Sequence, residues 1–320
     1  MPLAEKTLIS RVRRAARPRN KALVAGIGDD CAVLRVPAGE EALVTTDFSL
    51  EGIHFRREWH SAEVVGHRCL TRGLSDIAAM GGKPIATFLS LALPRSVSQH
   101  WVDGFLRGFL ALADEFNITL AGGDTAESPA GILADIVVLG SVPKGKAILR
   151  SGARPGDLIY VTGELGGASA ALQELFAGHM VRPRNFPRHF HPMPRIAVGR
   201  LLRTKRLASA MIDISDGLST DLAHICEESG VGAEILAAAV PLARVGKRKQ
   251  DQDVELRHAL HCGDEYELLF TAPKNKRVPD RIAGVRVTQI GEIRRGKQVL
   301  LISSKGARSV LKPGGWEHFR

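Results

Sequence analysis

The alternation of apolar and polar residues divides this chain into helical and extended segments. Val65, Cys69, Leu70, Leu74 and Ile77 recur at helical spacing and predict an amphipathic helix over 62–80. Gly81, Gly82 and Pro84 follow and would stop it. Trp101, Phe105, Phe109, Leu112 and Phe116 line one face of a second predicted helix, 99–116. Apolar runs predict buried strands at 85–93 and 132–142 and shorter strands at 42–47, 118–121, 158–162, 211–214 and 265–271. Further helices are expected at 168–177, 194–202 and 218–229, and the proline- and histidine-rich stretch 182–194 reads as a surface connection. Turn residues crowd 144–156. With 320 residues, long for one core, the chain is read as two α/β domains, 1–148 and 149–320.

Composition narrows the class. No segment has the apolar length of a membrane span, and the basic N-terminus lacks a following apolar region, so a cytoplasmic protein is expected. Cys31, Cys69, Cys226 and Cys262 are widely spaced, which disfavours zinc and disulfides and leaves packed thiols. The net charge is +10, but only 11–19 is densely basic, and no nucleic-acid-binding pattern accompanies it. Nucleic acid and membrane are therefore disfavoured as partners; the charge excess would steer anionic substrates.

Against that basic background stand five aspartate motifs: Gly28-Asp29-Asp30, Thr45-Thr46-Asp47, Leu74-Ser75-Asp76, Gly122-Gly123-Asp124-Thr125 and Asp213-Ile214-Ser215-Asp216-Gly217. Each alone reads as a turn, strand end or helix cap. Together they form an oxygen-only donor set that suits Mg²⁺ and, through it, a polyphosphate. Asp76 falls near a helix C-terminus, where a carboxylate opposes the dipole and is easier to understand if it faces a metal. There is no P-loop and no G-x-S-x-G elbow, and His189 and His191 read as surface loop histidines. The glycines of 163–167 would offer N–H groups to an anion at a helix N-terminus.

These stretches resemble thiamine-monophosphate kinases, of the ATP-binding group that includes aminoimidazole ribotide synthetase and selenophosphate synthetase. The likeness lies in GIGDDCAVL (26–34), TTDFSLEGIHF (45–55), LSDIAAMGGKP (74–84), AGGDT (121–125), RSGARPGDLIYVTG (150–163), IDISDGLSTDL (212–222) and the region 263–270. It implies an N-terminal, ATP- and Mg-binding domain whose mixed sheet pairs across a homodimer, followed by a second α/β domain. It implies transfer of the γ-phosphoryl group of ATP, the co-substrate, to thiamine monophosphate, with several Mg²⁺ ions. Carried over by motif, Asp30, Thr45, Thr46, Asp47, Asp76, Asp124, Asp213 and Asp216 would serve the metals. Gly123, Arg150 and Ser215 would contact the nucleotide, and His54, Asp264 and Trp316 the thiamine substrate. The acceptor phosphate is already ionised, so no catalytic base is named. Trp316 reads equally as a ring stacked on the cationic thiazolium or as a pin for the C-terminal tail.

The chain departs from the family pattern at a helix start, where Ala168-Ser169-Ala170-Ala171 stands for S-A-A-G, and in two further places. Gly73 stands where the family has asparagine, and Cys262-Gly263-Asp264-Glu265-Tyr266-Glu267-Leu268 replaces G-G-E-D-Y-E-L. The alternatives are a superfamily relative with another acceptor, or a non-enzymatic nucleotide- or nucleic-acid-binding paralogue.

Overall fold

The computed structural model describes residues 5–17, 20–27, 31–245, 252–317 and 319, and the side chains of all of these except 5, 6, 252 and 253. Two units emerge, residues 1–77 with 82–145 and residues 78–81 with 146–320.

The first unit runs α1 (Glu5–Ala15), β1 (Leu23–Ala25), β2 (Val33–Leu34), β3 (Glu40–Leu50), α2 (Ala62–Ala79), β4 (Lys83–Leu93), α3 (Gln99–Glu115), β5 (Thr119–Glu127) and β6 (Leu133–Pro143). Its mixed sheet has the order β3-β6-β4-β5, antiparallel except for the parallel β4–β5 pair. Ser61 and Ser98 start α2 and α3 by accepting the N–H groups of Val64 and Trp101. The predicted stripe of α2 is buried: Cys69, Leu70 and Leu74 are fully enclosed, as are Phe105 and Phe109 of α3. Gly73 brings α2 onto the sheet; a Cβ there would lie 2.5 Å from Val138 Cγ2 and 2.9 Å from Ile136 Cδ1. Both neighbours are β-branched and stiff, so this position has no room for an amide side chain.

Two strands are longer than their sequence suggests. β3 continues past Asp47 to Leu50, so Asp47 lies within the strand rather than at its end. β5 continues through Gly122-Gly123-Asp124, because β4 supplies a ladder partner for each residue from Gly122 to Glu127, after a register shift that skips Ala121. Gly123 takes φ +149°, and a Cβ on it would lie 1.8 Å from the Leu89 carbonyl oxygen. Part of the basic N-terminal run forms α1, where Leu8 is buried and Arg11 pairs with Asp103 of α3.

The second unit runs β7 (Leu158–Thr162), α4 (Gly167–Phe176), α5 (Pro187–Phe190), α6 (Ile196–Thr204), β8 (Ala210–Asp213), α7 (Leu218–Ser229), β9 (Gly232–Leu236), β10 (Arg244–Val245), β11 (Gln252–Asp253), α8 (Leu256–His261), β12 (Leu268–Ala272), β13 (Arg281–Ile282), β14 (Val285–Arg294), β15 (Val299–Ile302) and β16 (Arg308–Val310). Its main sheet has the order β16-β15-β9-β14-β7-β12-β8, with β13 paired to β14, and is mixed because β15 runs parallel to β9. Leu218, Leu222 and Ile225 of α7 pack into its core. The stretch 182–194 is a surface connection only in part: residues 182–184, 187 and 191 are exposed, but His189 and Phe190 are each 1% exposed. Arg188 from this stretch reaches Glu164 and Glu267. Burial of Cys69 and Cys226 pushes their thiols up to about 12, which fits packed, unreactive side chains.

Candidate active site

In the first unit, strand alternation decides which threonine can act. Thr45 and Asp47 share a face of β3, and Thr45 donates its hydroxyl to Asp76 Oδ2 on α2. Asp47 Oδ1 lies 3.4 Å from Arg72 Nη1, one helical turn before Asp76. Thr46 points the other way, onto the exposed face shared with Val44 and Phe48, so its side chain does not join this group. His54 Nδ1 accepts the Leu50 N–H at 3.0 Å, which folds the chain back at the end of β3. Asp124 is exposed on β5, at the opposite edge of the sheet from β3. Three strand spacings, roughly 14 Å, separate those backbones. Asp30 lies outside the described residues.

The second unit gathers a tighter set. β8 ends in Asp213, which is 3% exposed. Ile214 N–H bonds Glu267 O, Tyr266 N–H bonds Ile214 O, and Asp264 N–H bonds Ser215 O, each at 2.8–2.9 Å. These pairings lay 264–267 alongside 214–215 and so place Asp264 beside Ser215. Asp264 takes φ +62°, and its carboxylate accepts the Tyr266 hydroxyl at 2.6 Å. Trp316 N–H bonds Asp216 O at 3.1 Å, while the residue remains 54% exposed. The tail is therefore pinned to the aspartate motif, and the residue at its end stays accessible. Arg150 is exposed; its neighbour Leu149 accepts the N–H of Met211, two residues before Asp213.

Asp221, which the motifs do not single out, lies beside the candidate site. It sits in the first turn of α7, and its Oδ2 accepts the Asp216 and Gly217 N–H groups at 3.3 and 3.0 Å. Burial, then the charges of Asp213 and Asp216, hold its carboxyl well above the usual range. The carboxyl groups of Asp213 and Asp216 are thus close enough to Asp221 to disfavour its ionisation. The signal lay in IDISDGLSTDL, where Asp221 falls four residues after Gly217.

Among the described residues no three His, Cys, Asp or Glu side chains form a ready-made metal cage. Mg²⁺ needs none, because it keeps several waters and takes one or two carboxylates together with substrate phosphates. The carboxylates and the Thr45 hydroxyl are hard oxygen donors of that kind.

The N–H groups expected to meet an anion at the N-terminus of α4 are instead taken by a side chain of the protein itself. Glu265 Oε1 accepts the Gly166 and Ala168 N–H groups at 2.8 and 3.2 Å. Burial pushes Glu265 up to about 8, despite those two hydrogen bonds. Its folded value exceeds its unfolded value near 4.5, so the folded state holds the extra proton between them. Stability should therefore fall as pH rises from about 4.5 to about 8 through this group, by several kcal/mol at most. Glu265→Gln is expected to flatten that slope in urea titrations run from pH 5 to pH 8; an unchanged slope would exclude Glu265 as its source.

The chain matches the family model described as AIR synthase related protein, N-terminal domain, over residues 28–142, and that of the C-terminal domain over 154–302. It is 36% identical to the thiamine-monophosphate kinase of Salmonella typhimurium, with 100% of this chain and 99% of the relative covered. For the Bacillus subtilis enzyme of that name the identity is 32%, covering 92% and 93%. The chain belongs to the thiamine-monophosphate kinase family. The crystal structure of the Stenotrophomonas maltophilia family member superposes with a TM-score of 0.80 at 35% identity, covering 94% of this chain and 97% of that one. A second family member, AaThiL complexed with AMPPCP and TMP, gives 0.77 at 30% identity, covering 100% and 99%. Hydrogenase maturation protein HypE, at 18% identity and a TM-score of 0.78, shares the fold.

Proposed function

We propose that this chain phosphorylates thiamine monophosphate with ATP, by direct transfer of the γ-phosphoryl group, giving thiamine diphosphate and ADP. The observation that carries this reading is full-length similarity to a family member complexed with AMPPCP and TMP. The motifs of this family are accompanied here by carboxylates in both units. Asp30, Thr45, Asp47, Asp76 and Asp124 of the first unit and Asp213 and Asp216 of the second are the residues that would hold Mg²⁺. Bound there, Mg²⁺ would supply the positive charge that two phosphorylated anions need in order to approach. Thr45 fixes the rotamer of Asp76, and Arg72 offsets the charge of Asp47. Gly123, Arg150 and Ser215 serve the nucleotide. His54, Asp264 and Trp316 serve the thiamine end, with Asp264 oriented by Tyr266.

Val44 and Phe48, 63% and 53% exposed on edge strand β3, support pairing of this sheet face in a homodimer. No described helix is long and apolar enough to cross a membrane, and the reading places the enzyme in the cytoplasm. The test is turnover with ATP, Mg²⁺ and thiamine monophosphate, with all products resolved by chromatography. Equal amounts of ADP and thiamine diphosphate without free phosphate are expected. ATP consumption with free phosphate and no thiamine diphosphate would point instead to a relative with another acceptor.

A further inference from the structure

The tail after β16 is built onto the start of α7. Leu311 is buried in the second-unit core, and its N–H bonds Val299 O at 2.9 Å. Three successive N–H groups then bond the first turn of α7 and the aspartate motif before it. Gly314 N–H donates to Ser219 Oγ at 3.3 Å, Gly315 N–H to Thr220 Oγ1 at 3.1 Å, and Trp316 N–H to Asp216 O at 3.1 Å. Ser219 is fully buried, and its hydroxyl also pairs with His261 Nδ1 at 2.9 Å. A Cβ on Gly315 would lie 2.1 Å from Asp216 O, and one on Gly314 would lie 2.7 Å from His261 Nδ1. Neither glycine has a positive φ, so these positions are kept small for close approach and not for an unusual backbone. The tail therefore approaches as a strap, held by two hydroxyls and one carbonyl, with an exposed indole at its end.

We propose that Ser219 and Thr220 are positioning residues for the thiamine substrate, acting through the Gly314-Gly315 strap to set the indole of Trp316. The proposal rests on the kinase reading above, in which Trp316 meets the thiamine end. The two hydroxyls lie on the helix that opens directly after Asp216 and Gly217. The strap thereby ties the acceptor-binding indole to the same turn that carries the metal-binding carboxylates. An indole held by backbone hydrogen bonds loses less freedom on stacking against a cationic ring than one on a free tail.

The test uses the full-length enzyme and the variants Thr220→Val, Thr220→Ser, Trp316→Ala and Thr220→Val/Trp316→Ala. Thr220→Val removes the acceptor and keeps the shape; Thr220→Ser keeps the acceptor. Hydrogen exchange at the Gly315 amide reads the strap independently of activity, and it should accelerate in Thr220→Val and stay slow in Thr220→Ser. KM for thiamine monophosphate should rise about fivefold to tenfold in Thr220→Val, the equivalent of one hydrogen bond, and return in Thr220→Ser. KM for ATP should move by less than about twofold, and Thr220→Val should add nothing in the Trp316→Ala background, because both act on one element. Multiplying effects in the double variant, a parallel rise in KM for ATP, or unchanged exchange at Gly315 would overturn the proposal. Absence of thiamine diphosphate from the wild-type reaction would overturn the kinase reading beneath it, and that result is in hand before any variant is compared.

Discussion

Asp76→Asn is expected to lower turnover by about 100-fold or more at fixed Mg²⁺, since losing even an outer partner of a metal ligand costs about 10- to 100-fold. The substitution preserves shape. Thr45 donates its hydroxyl to Asp76 Oδ2, and an amide oxygen can accept the same bond. What disappears is the negative charge, within a group where Arg72 already lies 3.4 Å from Asp47. The melting curve should stay close to that of the wild type, while the Mg²⁺ dependence of the rate moves to higher concentration. Rates within tenfold of the wild type at limiting Mg²⁺ would remove Asp76 from the metal site.

The largest stability effect is expected at Glu267, which belongs to the framework under the site. Its side chain is 1% exposed and carries four contacts: Arg195 through two nitrogens, Arg188 at 3.2 Å and the Thr162 hydroxyl at 2.6 Å. Burial works against the charge of Arg195, but the carboxylate outweighs it and raises the guanidinium pKa. Glu267→Ala leaves two arginines facing an empty, buried acceptor position. A loss of about 3–5 kcal/mol is expected, as for other buried pairs cut on one side. Urea denaturation would measure it, and a change below about 1 kcal/mol would show that water or another acceptor takes over. The same carboxylate sits where a Cβ on Gly163 would fall 2.0 Å from its Oε1, so loosening it should also disturb the glycine turn before α4.

Helices and buried strands were legible because their signals are local. The α2 stripe repeats every three to four residues, and the apolar run of β4 needs no partner to be read. The bounds of α7 follow from Gly217 before it and Gly230 after it, the latter an αL cap. The aspartate motifs stood out only as a set, since each alone reads as a turn, strand end or helix cap. Their partners were not legible. Strand β5 runs through two glycines because β4 lies beside it, a fact of pairing and not of propensity.

The α/β class, the positions of the aspartates and the family likeness can all be read along the chain. Tertiary structure decided which side chains meet. It put Thr46 on the far face from Asp76. It seated Glu265 at a helix N-terminus almost 100 residues earlier in the chain, and it buried His189 in a stretch that reads as surface. It also drew the tail across Asp216 through Ser219 and Thr220. The physical reason is common to all four. Spacing along a chain encodes periodicity within an element, whereas hydrogen bonds and ion pairs between elements depend on register, twist and burial that arise only when the elements pack.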